Sequence, residues 1–157
     1  MIMFRPPSRT DMAELAANMR AIDVLECRAM SGHSPLEALE YSVEGSSWSL
    51  AAEVDGEVMA IFGVAATDML SGDGAPWLLG AQGIERCARL MLIYTRHYLR
   101  RMQEEYDMLA NAVHVENKAA IRYLKWCGFE FGAHFTRNGE TFAHFSWVRR
   151  DQARKAA

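Results

Sequence analysis

No cysteine pair, metal-binding pattern or long apolar run organises this sequence. Its three cysteines, Cys27, Cys87 and Cys127, lie far apart, with no CxxC pair and no histidine at ligand spacing. That excludes a disulfide scaffold and a zinc module, and reads as reduced thiols acting as small buried hydrophobes. His33, His97, His134 and His144 form no metal spacing, so no metal is expected. There is no Ser-His-Asp order and no Walker loop. No stretch reaches the ~18 apolar residues of a membrane helix, so no membrane partner is expected. The N-terminal Met1-Ile2-Met3-Phe4 run is short and lacks a basic flank, so no secretory leader is expected and the location reads as cytoplasmic. Excess positive charge is missing too. The net charge is −3, so nucleic acid is not an expected partner. Repeats, linkers and low-complexity segments are absent.

What is present is an ordinary globular composition, half hydrophobic and about a quarter charged, in 157 residues. Residues 1–150 read as one domain with 151–157 as its charged C-terminal tail, and the charged run from Arg149 to Ala157 is expected to fray. Ile2 to Arg5 reads as a first strand, ended by Pro6-Pro7. Thr10 or Asp11 reads as the cap of a helix whose stripe is Met12, Leu15, Ala16 and Met19. Ile22 to Met30 continues helical, and Ser34-Pro35 opens another helix that fades at Gly45. The period then changes. Trp48 to Val54 and Val58 to Ala65 are strands joined by Asp55-Gly56, a type I′ turn signal. Asp68 to Gly74 reads as a loop and Ala75 to Leu79 as a short strand.

Gly83 to Glu105 predicts the longest helix. Ile84, Cys87, Met91, Tyr94 and Tyr98 form its apolar face, and Arg86, Arg89, Arg96 and Arg100 another. The arginines can grip phosphates or form a solvated face balanced by Glu104, Glu105 and Asp107. Leu109 to Val115 is a strand. Asn117 caps a helix that buries Ala120, Ile121, Leu124 and Cys127 and ends at Gly128. A second hairpin, Phe131–Thr136 with Thr141–Val148, turns at Asn138-Gly139.

This order resembles the GCN5-related N-acetyltransferase (GNAT) fold: a first strand, paired helices, an antiparallel meander, a long helix, then a strand and its helix. The segment Asn117-Lys-Ala-Ala-Ile-Arg-Tyr-Leu-Lys-Trp-Cys-Gly-Phe129 is the sharpest local likeness. The resemblance implies an α/β (α+β) domain with a mixed, mostly antiparallel central sheet and helices on both faces. Ala75-Pro-Trp-Leu-Leu-Gly80 and Ile121–Phe129 are similar to short GNAT-like proteins of short-tailed phages, as are Met19–Asp23 and Met30–Pro35. Those proteins are described as acetyltransferase-like or as internal virion or morphogenesis proteins.

The resemblance implies acetyl-CoA as cofactor, held in a gap between the fourth and fifth strands. Its pyrophosphate would meet Gln82, Gly83 and Ile84 at the start of the long helix, helped by Arg86, with Asn117 on the far side. The family's Arg/Gln-x-x-Gly-x-Gly/Ala signature is incomplete here, because Glu85 stands three residues after Gln82 and the next glycine is missing. The usual acid tyrosine position holds Leu124. Tyr123 is one residue away, turned by roughly 100°, and is expected to face the sheet or the solvent edge. The fourth strand carries no acid, so His114 and Glu116, at the end of the fifth, are the candidate bases. A fourth-strand backbone N–H would serve the oxyanion. Two functions follow. One is acetyl transfer to an amine of a phage or host protein or of a small molecule. The other is a non-catalytic phage protein, carried in the virion or active in its assembly, or acting on a host partner.

Overall fold

The computed structural model describes residues 1–68 and 70–151; the expected frayed tail lies almost wholly outside the described residues, as does Met69 in the expected loop. Both hairpin signals hold, because their residues tolerate the left-handed backbone the turns require. Asp55 and Gly56 have φ of 50° and 85°, and Asn138 and Gly139 have 49° and 80°.

The chain runs β1 (Ile2–Arg5), α1 (Arg9–Ala17), α2 (Ala21–Ser31), α3 (Pro35–Gly45), β2 (Trp48–Val54), β3 (Glu57–Ala66) and β4 (Asp73–Gly80). A 3₁₀ turn (Ile84–Cys87) leads into α4 (Ala88–Glu105), followed by β5 (Met108–His114), α5 (Lys118–Trp126), β6 (Glu130–Arg137) and β7 (Glu140–Val148). The strands form one sheet in the order β1-β2-β3-β4-β5-β7-β6, antiparallel throughout except for β4 and β5. This is the mixed, mostly antiparallel sheet expected.

Alternation along β2 and β3 divides the core into two layers. Ala51, Met59 and Ile61 pack with Leu15, Met19 and Leu39 of the α1–α3 side. Ala52, Ala60, Phe62 and Val64 pack on the other face with Met102 of α4. None of the helices is long and apolar enough to cross a membrane, among the described residues.

Four boundaries differ from expectation. First, α1 is capped by Ser8, not by Thr10 or Asp11. The Ser8 hydroxyl accepts the Asp11 N–H at 3.1 Å, and the Asp11 carboxylate accepts the Ser8 N–H at 2.9 Å, a reciprocal capping box. Second, β4 begins at Asp73, because Gly74 and Asp73 pair with β5 rather than looping. Third, the long helix opens with the 3₁₀ turn, so its α-helical part starts at Ala88. Fourth, Arg149 is fixed: it donates to Asp107 Oδ1 at 3.1 Å and to the carbonyls of Gln103 and Tyr106 at 2.7 and 3.1 Å. It thereby serves the exposed carbonyl end of α4.

Candidate functional site: a cleft between two splayed strands

β4 and β5 pair only at Asp73↔Met108 and Gly74↔Leu109 among the described residues, and then part. The sequence explains why the ladder stops there. Pro76 faces β5 and has no N–H to give. Its carbonyl instead accepts from Asn111 Nδ2 at 2.9 Å, while Asn111 Oδ1 accepts the Ala112 N–H at 2.8 Å. One asparagine side chain thus stands where a backbone rung would be and closes the narrow end of the gap.

The wide end is held by α2. Asp23 accepts the Gly80 N–H at 2.9 Å on the β4 side, and Glu26 accepts the His114 N–H at 3.1 Å on the β5 side. The Arg20 N–H bonds the Gly80 carbonyl at 2.9 Å. Pro76 and Gly80 therefore turn their backbone groups toward the gap. Leu78, midway between them, does so too by strand alternation.

A cavity of about 260 Å³ fills the gap and passes from the α2 face to the α4–α5 face. Its apolar wall includes Leu78, Met91, Tyr98 and Leu124, and its polar end Arg20, Asp23, Glu26 and Asn117. The cavity explains a further difference from the sequence reading. The apolar stripes of α4 and α5 were expected to be core faces. Yet α4 buries only Met102 and α5 buries no residue, since Met91, Tyr94, Tyr98, Ala120, Leu124 and Cys127 line the open space.

The polar end forms one network. Asn117 caps α5, its Oδ1 accepting the Ala120 N–H at 3.3 Å and Arg20 Nη2 at 3.4 Å, while its Nδ2 donates to Glu26 Oε1 at 3.0 Å. Arg20 Nη1 lies 3.5 Å from Asp23 Oδ1. Burial pushes the Asp23 carboxyl up to about 6, against the opposing pull of Arg20 and the Gly80 N–H. Burial also raises Glu26, opposed by its bonds to Asn117 and the His114 N–H.

The expected site residues fall into three groups. Asn117 and Tyr123 line the cavity. Tyr123 corrects the expectation that it faces the sheet or solvent: both it and Leu124 are on the wall, because the cavity extends between α5 and α4. Thr95 Oγ1 donates to the Met91 carbonyl at 2.6 Å, so its oxygen accepts the Tyr123 O–H. Burial raises the phenol's pKa strongly, which keeps the proton on it.

His114 and Glu116 do not reach the cavity wall. His114 is buried with Nδ1 accepting the Glu116 N–H at 3.0 Å, which puts the ring proton on Nε2, 2.6 Å from Glu140 Oε2. Glu116 is exposed. Gln82, Gly83, Ile84 and Arg86 form the turn beyond the end of β4. Gln82 and Ile84 give their N–H groups to the carbonyls of Asn18 and Ala81 at 2.8 and 3.1 Å. Gly83 takes a φ of 84°, and the Arg86 guanidinium folds back on its carbonyl at 3.3 Å. Of the Gln82–Ile84 turn expected to meet a pyrophosphate, the Gln82 and Ile84 N–H groups are therefore already engaged within the fold.

Sequence reasoning missed Arg20, Asp23, Glu26 and Asn111. Asp23 and Glu26 stand three residues apart on one helical face that continues to Ala29, itself buried. Carboxylates on a buried stripe were the available signal.

Residues 50–136 match the family model described as Bacteriophage T7, probable scaffold protein Gp13. No curated protein matches the sequence. Among solved structures, the chain is similar to a GNAT-family acetyltransferase from Streptococcus pneumoniae at 16% identity and a TM-score of 0.65, over 95% of this chain and 99% of that one. Ribosomal-protein-alanine N-acetyltransferase from Brucella melitensis gives 16% and 0.68, over 93% and 99%. An aminoglycoside acetyltransferase in complex with coenzyme A and kanamycin gives 15% and 0.65, over 100% of both chains. At these identities the likeness establishes the fold, which is that of the GNAT proteins.

Proposed function

The chain belongs to the family of the bacteriophage T7 probable scaffold protein Gp13, and from that premise and the cleft we propose that it is a phage-encoded protein that binds acetyl-CoA and transfers the acetyl group to an amine. The observation that carries this reading is the open strand edge at Leu78, inside a cavity of about 260 Å³ between β4 and β5. An extended, amide-bearing chain such as that of CoA suits this edge, which turns an N–H and a C=O of Leu78 into a largely apolar slot. Solved relatives in fold hold coenzyme A, which supports the same ligand here.

Acetyl-CoA supplies an acetyl group already activated as a thioester. The chain's own contributions are orientation, a donor and a proton. Leu78 offers its backbone N–H to the carbonyl oxygen on which negative charge develops. Tyr123 lies on the cavity wall and burial keeps its phenolic proton in place; turned from Thr95, the O–H would give that proton to the departing sulfur. Asn117 holds the β5 end of the slot, and the side chains of Gln82 and Arg86 would meet the phosphates.

The test is a thermal shift with acetyl-CoA and CoA. Ligand at 100 times its Kd adds about 2.7 kcal/mol, which is roughly 5–10 °C for a domain of this size. A shift of that order supports the reading, and none with either ligand sinks it. The family's description as a probable scaffold protein supports a second reading, a non-catalytic role in virion assembly. That reading predicts no shift and recovery of the chain in assembling particles.

A further inference from the structure

Resting on the acetyl-transfer reading, we infer that Glu26, supplied by α2 and not by the sheet, is the base that takes a proton from the acceptor amine. Four observations carry it. Glu26 lies on the wall at the wide end of the cleft, past Leu78 along the open strand edges. Its Oε1 is fixed by the His114 N–H and Asn117 Nδ2 at 3.1 and 3.0 Å, and none of the described hydrogen bonds uses Oε2. The carboxylate is therefore held by one oxygen and presents the other. Asp23, across the gap, has Oδ2 on the Gly80 N–H and Oδ1 3.5 Å from Arg20, so both its oxygens are engaged. Finally, His114 and Glu116 cannot serve from where they stand, one locked between Glu140 and the Glu116 N–H, the other exposed.

The charges suit an ammonium ion. With both carboxylates ionised, Asp23, Glu26 and Arg20 sum to one negative charge. The titratable and charged groups facing Glu26 are Asp23 and Cys27 on α2, Arg20 at its N-cap, and His114 from β5. Burial raises the Glu26 carboxyl, which makes it a better proton acceptor than an exposed glutamate.

The step balances as follows. The acceptor arrives as an ammonium ion and gives one proton to Glu26, which passes it to solvent. The freed lone pair forms the C–N bond to the thioester carbonyl carbon, and the C–S bond breaks. The second proton lost by nitrogen ends on the departing sulfur, with Tyr123 as relay.

The experiment compares the wild-type chain with Glu26→Gln and Glu26→Asp. Glutamine keeps an oxygen for the His114 N–H and the Asn117 amide, so the fold is expected to hold, and Glu26→Asp keeps the carboxylate as a second variant. Each is titrated calorimetrically with acetyl-CoA, and then with n-butylamine in the presence of saturating CoA. Thiol release is followed with two acceptors: n-butylamine, which is protonated at neutral pH, and hydroxylamine, which is not. In Glu26→Gln, acetyl-CoA affinity should stay within about twofold and n-butylamine affinity should fall at least about tenfold. Transfer to n-butylamine should fall about 100-fold, as for loss of a general base, while transfer to hydroxylamine should change by less than about threefold. Glu26→Asp should recover part of the n-butylamine rate. Equal losses with both acceptors, an unchanged n-butylamine rate, or no n-butylamine binding by a wild-type chain that binds acetyl-CoA overturns the assignment alone. Failure of the wild type to bind acetyl-CoA overturns the acetyl-transfer reading with it.

Discussion

Replacing Asp23 with asparagine should stabilise the protein at neutral pH. Asp23 is 3% exposed, and its carboxyl is pushed from 3.8 up to about 6, chiefly by burial. A shift of about two pH units corresponds to roughly 3 kcal/mol, at about 1.4 kcal/mol per unit. The sign follows from the direction. The folded state holds this proton more tightly than the unfolded chain. The stabilising contribution is therefore complete below about pH 4 and is lost as pH rises through 6. At pH 7.5 the ionised carboxylate costs the fold that roughly 3 kcal/mol, with the Arg20 attraction already counted. Asparagine still offers an oxygen to the Gly80 N–H but leaves Arg20 with less compensation, so a net gain of about 1–3 kcal/mol is expected, or ~3–8 °C in Tm. Urea unfolding of both proteins from pH 4 to 8 measures it. The gap should be widest at pH 7.5 and close toward pH 4. A variant less stable than wild type at pH 7.5, or a difference that does not change with pH, would refute the claim that this buried charge is kept against stability.

Two further outcomes concern the cleft. Asn111→Ala removes the crosspiece between Pro76 and Ala112 and leaves a carbonyl and an N–H without their partner. Denaturation should show a loss of about 1–3 kcal/mol, and calorimetry a weaker acetyl-CoA interaction, because the strands lose their fixed spacing. Tyr123→Phe removes the hydroxyl bonded to Thr95. Acetyl-CoA binding should persist while the transfer rate falls about 10²-fold or more, as measured by thiol release. Equal retention of rate would show that the phenol is not the acid.

Local signals in the sequence were read correctly where local physics decides them. Asp-Gly and Asn-Gly form their turns, Asn117 caps α5, and Gly128 takes the left-handed conformation with φ of 96°. Element order was legible for the same reason, since each change of period is a local event. The cap of α1 was misplaced because Ser8, Thr10 and Asp11 all suit it, and only the Ser8–Asp11 reciprocity chooses. The cleft was less legible. It is made by pairing that does not happen, and the one sequence mark of that is Pro76 inside an otherwise regular strand. The carboxylates of α2 were missed because their role depends on which way α2 packs. The bases named at the end of β5 do not line the cavity, because position along a strand does not say which side chains turn inward. His114 donates its backbone N–H to Glu26 at the cleft while its ring lies outside the cavity wall.

The most direct measurement is amide hydrogen exchange with and without acetyl-CoA, resolved to single residues along β4 and β5. Occupation of the open edge requires slowed exchange at Leu78, with smaller effects at Gly80, whose N–H already bonds Asp23. Protection centred on Leu78 is the result expected. Unchanged exchange at Leu78 at saturating acetyl-CoA, or protection confined to some other surface, would contradict the cleft as the cofactor site.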